Sequence, residues 1–98
     1  MSEYVINLAY DAAKKDAKQL KAIADTLEKE SRALSNMMGN VNASWKGSAA
    51  TGYVEKCQWL KDELDGNIKH IRNIANAISK TADTYKKMEL EKEEEKNK

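Results

Sequence analysis

Proline and phenylalanine are missing from all 98 residues, and glycine occurs only four times. Without proline, nothing obliges a helix to break. A strand-rich domain wants β-branched and aromatic residues and frequent turns, and this composition supplies few of either. Cysteine occurs once, as Cys57, which excludes an intrachain disulfide framework and a cysteine-based zinc cluster. Histidine also occurs once, as His70, leaving almost no scope for a site built on imidazoles. Neither sign of charge dominates. The net charge is +1, so the molecule's field favours neither DNA nor an anionic membrane. No apolar run approaches the ~20 residues that a membrane-spanning helix needs. The start, Met1-Ser2-Glu3-Tyr4, has no basic region followed by an apolar stretch, so no ordinary signal peptide is expected. Such a chain is either cytosolic or exported by a route that reads something other than a cleavable leader.

What is present is charge and periodicity. Charged residues make up 34% of the chain, against roughly 25% in an ordinary globular domain, and suit long helices with wide solvated faces. In the first half, Ile6, Tyr10, Ala13, Ala17, Leu20, Ala24, Leu27, Ser31, Leu34, Met38 and Val41 fall at alternating spacings of three and four. That pattern keeps one seam of a helix facing a partner helix, and only Ser31 breaks its apolar character. Glu28 and Arg32 are among the opposite charges one turn apart on the solvated side. Gly39 is expected to be tolerated inside the helix, because Val41 continues the seam. In the second half, Val54, Cys57, Leu60, Leu64, Ile68, Ile71, Ile74, Ala75, Ile78, Ala82 and Tyr85 form a comparable stripe. Gly66 lies in the middle of this second helix, where it costs helix propensity, on the face of Trp59 and His70; it either permits another backbone to approach closely or has no special role.

Between the halves runs Asn42-Ala43-Ser44-Trp45-Lys46-Gly47-Ser48. Gly47 can take a positive φ without strain, as a reversal requires. Trp45 is expected to wedge between the helix ends and staple them. Ser48 is the expected N-cap of the second helix. The fold expected is all-α. An antiparallel hairpin would occupy residues 1–85, with a helix over about 5–42, a turn at 43–48 and a second helix over about 49–88. A charged tail, 86–98, would follow, its last residues frayed. One seam per helix makes a thin core, and small scaffolds with thin cores gain stability by oligomerising. Two hairpins would pair as a four-helix bundle. The leucines Leu20, Leu27, Leu34, Leu60 and Leu64, with Trp59, are expected to supply the dimer or partner surface. Trp59 points about 100° away from the seam through Leu60, which suits a contact between hairpins or an anchor for another protein.

Reactive chemistry is not indicated. No glycine-rich phosphate loop, nucleophile elbow or metal-ligand spacing occurs. Cys57 and His70 are thirteen residues apart on one helix, roughly 20 Å, too far to form a nucleophile pair. Cys57 reads as a small buried hydrophobe and His70 as a surface residue. No enzyme activity, cofactor or metal is expected. Lys14, Lys15, Lys18 and Lys21 cluster, but Asp11, Asp16 and Asp25 are interleaved and no aromatic platform accompanies them, so nucleic acid is not expected. Stable membrane insertion is not expected either, because the polar faces carry both signs.

A chain of about a hundred residues, with Trp45-Lys46-Gly47 central between two proline-free amphipathic helices, resembles the WXG family of small type VII secretion substrates. These are the early-secreted-antigen-like proteins of Gram-positive bacteria and mycobacteria, and the resemblance runs from about residue 4 to 89. It implies a virulence-associated, non-enzymatic protein, made in the cytoplasm and secreted without a cleavable signal peptide. It would be exported folded, as a homodimer or as a heterodimer with a second WXG-type hairpin. It further implies a secretion ATPase as partner, a larger secreted toxin as a further one, and a role as effector or as carrier and chaperone. Family members carry a two-part export signal, in which the turn of one chain lies beside a Tyr-x-x-x-Asp/Glu motif of the other. Tyr85-Lys86-Lys87-Met88-Glu89 fits that motif, so Tyr85 and Glu89 are the implied export residues. They share one helix face. Residues alone also allow another class of protein, a cytosolic helical adaptor or coiled-coil interaction module.

Overall fold

The computed structural model of the chain describes residues 2–96. Two helices, α1 (Glu3–Ser44, 42 residues) and α2 (Ser48–Lys96, 49 residues), pack as a hairpin joined by residues 45–47. Among the described residues there is no strand. Ser2 starts α1, its Oγ accepting the Val5 amide at 3.3 Å while its carbonyl accepts the Ile6 amide. This satisfies backbone donors that the first helical turn leaves unpaired. Gly39 is accommodated within α1. At the far end the Trp45 amide donates to the Val41 carbonyl at 2.8 Å, closing the last turn.

Gly47 has φ 95°, the conformation that reverses the chain. A Cβ there would meet none of the described residues within 4 Å, so glycine is required by backbone conformation and not by crowding. The Gly47 carbonyl accepts the Thr51 amide at 3.3 Å, which makes Gly47 the N-cap and places Ser48 inside the first turn. The expected cap is thus displaced by one residue, since glycine itself is an acceptable N-cap. Helix α2 runs on to Lys96, beyond the expected end near 88. Lysine and glutamate are good helix formers, and Lys92 reaches Glu89 at 3.3 Å along this stretch.

The hairpin divides into two compact units, Met1–Ala22 with Arg72–Lys98, and Ile23–Ile71. In the first, Ile6, Ala17, Ala75 and Ala82 are buried, and among the described residues Ile6 is the one large side chain fully enclosed. In the second, Ala24, Ser31, Met38 and Val41 of α1 and Ala50, Cys57 and Ile68 of α2 are buried. Buried residues recur every seven positions, as at 24, 31 and 38, the repeat of a coiled-coil seam. Most are small, so the helices pack closely but remove little apolar area from water.

The α2 seam differs from the stripe expected. Leu60 is 49% exposed and Ile74 45% exposed, so neither belongs to the seam. In the second unit the repeat passes from Val54 through Lys61 to Ile68, and Lys61 is half-buried. Its aliphatic stem can occupy an apolar position while its amine reaches a partner. That partner is Asp65, at 2.6 Å, and Asp65 Oδ1 also accepts the buried Ser31 hydroxyl. Ser31 therefore makes a polar contact across the seam, where its sequence position looked like an interruption.

Candidate docking and export site

The turn, in the unit Ile23–Ile71, presents aromatic surface. Trp45 is 54% exposed, which corrects the expectation of a buried wedge. Val41 and Ala50, both buried, fill the end of the seam. The indole lies instead against Tyr53 in α2, ring centroids 5.6 Å apart and planes tilted by 41°. Such offset aromatic pairs are favourable beyond the area they bury. The contact ties the connector to the second turn of α2 and leaves much of the indole open to another molecule. Burial pushes the Tyr53 hydroxyl above its usual range, and the adjacent Cys57 thiol adds to the shift. Cys57 itself is a buried free thiol.

The same unit carries an open apolar groove of about 240 Å³, lined by Ala33, Leu34, Met37, Leu60 and Leu64 and rimmed by Glu30. Three of the leucines singled out in the sequence are thus brought together. Leu27, in this unit, is half-buried, as is Leu20 in the other. Trp59, 64% exposed, is not part of this groove. It lies two residues after Cys57 and two before Lys61, about 200° round the helix from each, so it points directly away from the seam. Gly66, one heptad on, faces open space: among the described residues, none outside its own helix turn would meet a Cβ there within 4 Å.

The unit formed by Met1–Ala22 and Arg72–Lys98 has a larger apolar groove, about 490 Å³. Ala9, Tyr10 and Ala13 of α1 line one wall, and Ile74, Ile78 and Tyr85 line the other. Tyr85 is half-buried along it. Glu89, one turn on, is also half-buried and pairs with Lys92. Beside the groove, Tyr10 Oη donates to Asp83 Oδ1 at 2.9 Å. Lys14 Nζ donates to the same oxygen at 3.1 Å and to Ser79 Oγ. Lys86 Nζ sits 4.3 Å from the centroid of the Tyr10 ring. The Asp83 carboxyl is held below the usual carboxylate range, first by the Tyr10 hydroxyl and then by Lys14. Tyr10 and Lys14 are both raised, chiefly by their hydrogen bonds to Asp83. This network was not legible in the sequence. Its partners lie 65 to 73 residues apart, and only the register of the hairpin brings them together.

Among the described residues, no group of three or more His, Cys, Asp or Glu side chains could hold a metal ion. No helix among them is long and apolar enough to cross a membrane. The surface offered is one of aromatic and aliphatic contacts, which suits docking to other proteins.

Comparison with curated proteins and with solved structures returns no match. A family model does match: "Proteins of 100 residues with WXG", over residues 5–90. That span holds the Trp45-Lys46-Gly47 turn, both grooves and the Tyr85–Glu89 segment. The family comprises small helical proteins of type VII secretion systems, not known as enzymes. With the match covering nearly all of both helices, the chain belongs to the WXG100 family.

Proposed function

We propose that this protein is exported folded, as a dimer, by a type VII secretion system, and acts outside the cell as an effector or as carrier and chaperone for a larger secreted partner. The observation that carries the reading is the exposed Trp45 beside Gly47, within a family match that also takes in Tyr85 and Glu89. Ser48 and Tyr85 lie 37 positions apart along α2, about ten turns. A recognition patch using both motifs is most simply built from two chains lying head to tail, the turn of one beside Tyr85 of the other. The apolar grooves support such pairing, since each offers area that a second hairpin can cover. That hairpin is a second copy or a sibling of similar length.

Tyr85 offers an aromatic anchor and Glu89 a charge on the same face, one turn apart. A secretion ATPase can grip this pair without first unfolding the cargo. Trp59, outside both grooves, is available to a further partner such as a secreted toxin. Deleting residues 85–98 in cells with an active type VII system tests the reading. Export stops while the purified chain keeps its helicity and its dimer mass. Undiminished export of the truncated chain overturns it.

A further inference from the structure

We infer that Tyr10 is the positioning residue for Tyr85, setting the direction in which α2 presents its export face. The inference rests on the export reading above and concerns the unit Met1–Ala22 with Arg72–Lys98. Apart from Ile6 near the start of α1, the buried residues described in this unit are alanines: Ala17, Ala75 and Ala82. Alanines are small and nearly equivalent, so they hold two helices together without strongly fixing how either is rotated about its axis. Directional polar contacts supply what such packing leaves loose.

Tyr10 provides two of them, to Asp83 and Lys86, which lie one turn apart on a single face of α2 and are close to Tyr85 in the chain. Its hydroxyl donates to Asp83 at 2.9 Å, two residues before Tyr85. Its ring face receives the Lys86 ammonium at 4.3 Å, one residue after. One turn along α1, Lys14 bonds Asp83 at 3.1 Å and also Ser79. Tyr10 and Tyr85 then line the same groove. Each residue turns a helix by about 100°, so rotating α2 by a fraction of that would swing Tyr85 out of the groove or bury it. A partner that reads Tyr85 and Glu89 together needs both at one fixed angle. A single α1 side chain that holds Asp83 by a hydrogen bond and Lys86 by a cation–π contact fixes the rotation of α2, and with it that angle.

The test compares full-length variants in secreting cells. Tyr10→Leu keeps an apolar residue at the seam but removes both contacts. Tyr10→Phe keeps the ring for Lys86 and loses only the bond to Asp83. Export of Tyr10→Leu is expected to fall about tenfold, the scale of one charge-assisted hydrogen bond and one cation–π contact, with Tyr10→Phe intermediate. Dimer mass stays unchanged, while amide exchange over residues 83–90 quickens and the Tyr85 ring-proton signals shift. Should Tyr10→Leu fold poorly, Asp83→Ala combined with Lys86→Gln removes the two α2 partners and is expected to give the same loss. Blocked export of Tyr85→Ala alongside normal export of Tyr10→Leu, or of the Asp83→Ala/Lys86→Gln pair, overturns the inference and leaves the export reading standing. Normal export of Tyr85→Ala itself removes both.

Discussion

From inside the seam of the unit Ile23–Ile71, the Ser31 hydroxyl donates a hydrogen bond to Asp65 Oδ1 on the facing helix. Ser31 is 4% exposed, whereas Asp65 is at the surface and also holds Lys61 at 2.6 Å. Removing the hydroxyl therefore leaves Asp65 able to turn to water, and no buried charge is stranded. Ser31→Ala is expected to lower the melting temperature by roughly 5 °C, the scale of one net hydrogen bond in a domain of this size. Thermal unfolding by circular dichroism checks it. A rise in melting temperature would show that the polar layer contributes nothing to stability.

Acid should loosen both units. Asp65 is held below its ordinary value of 3.8, first by Lys61 and then by Ser31. Asp83 is lowered by Tyr10 and Lys14. For a carboxylate with a depressed folded pKa, the unfolded chain binds more protons in the window between the two values. Stability is then present above the unfolded value and lost as pH falls through the folded one. Denaturant midpoints should hold steady from pH 7 towards 5 in respect of these two groups and drop below about 4. Asp65→Asn together with Asp83→Asn should flatten that drop.

Glycines at two positions should answer alanine in opposite ways. Gly47 has φ 95°, so Gly47→Ala is expected to destabilise the hairpin by about 1–2 kcal/mol although no atom would clash. Gly66 is helical with open space around it, so Gly66→Ala is expected to stabilise by about 1 kcal/mol. Chemical denaturation measures both. A Gly66→Ala variant that unfolds normally but no longer associates would show that a second backbone lies against that face.

Much of this hairpin can be read from residue order alone. Proline-free periodicity announces two helices, and Gly47 beside Trp45 locates the turn. Leu60 shows where such reading stops. It is more apolar than Lys61, yet the seven-residue repeat places Lys61 in the seam and leaves Leu60 in an open groove. The polar layer at Ser31 and the network at Tyr10 depend on which residues the hairpin sets opposite each other, and periodicity within one helix carries no information about that register. Trp45 was recognisable as the residue of the turn, but its outward, half-exposed setting depends on Val41 and Ala50 having already filled the seam's end.

The grooves and the outer face should separate by mutation. Leu60 is half-exposed, so Leu60→Glu is expected to cost the fold little, within about 0.5 kcal/mol, while placing a charge in the surface proposed for pairing. Sedimentation should report loss of association at unchanged helicity. Trp59→Ala likewise should weaken association with a partner more than it lowers helicity, and equal loss of both would count against a docking role.

Complementation between two defective chains tests the account most directly. Trp45→Ala retains Tyr85, and Tyr85→Ala retains Trp45. Each variant expressed alone is predicted to stay inside the cell. Expressed together, they form mixed dimers in which one chain's intact turn lies beside the other's intact Tyr85, and both variants are predicted to appear in the medium. Retention of both on co-expression, or free export of either alone, would contradict a signal shared across two chains.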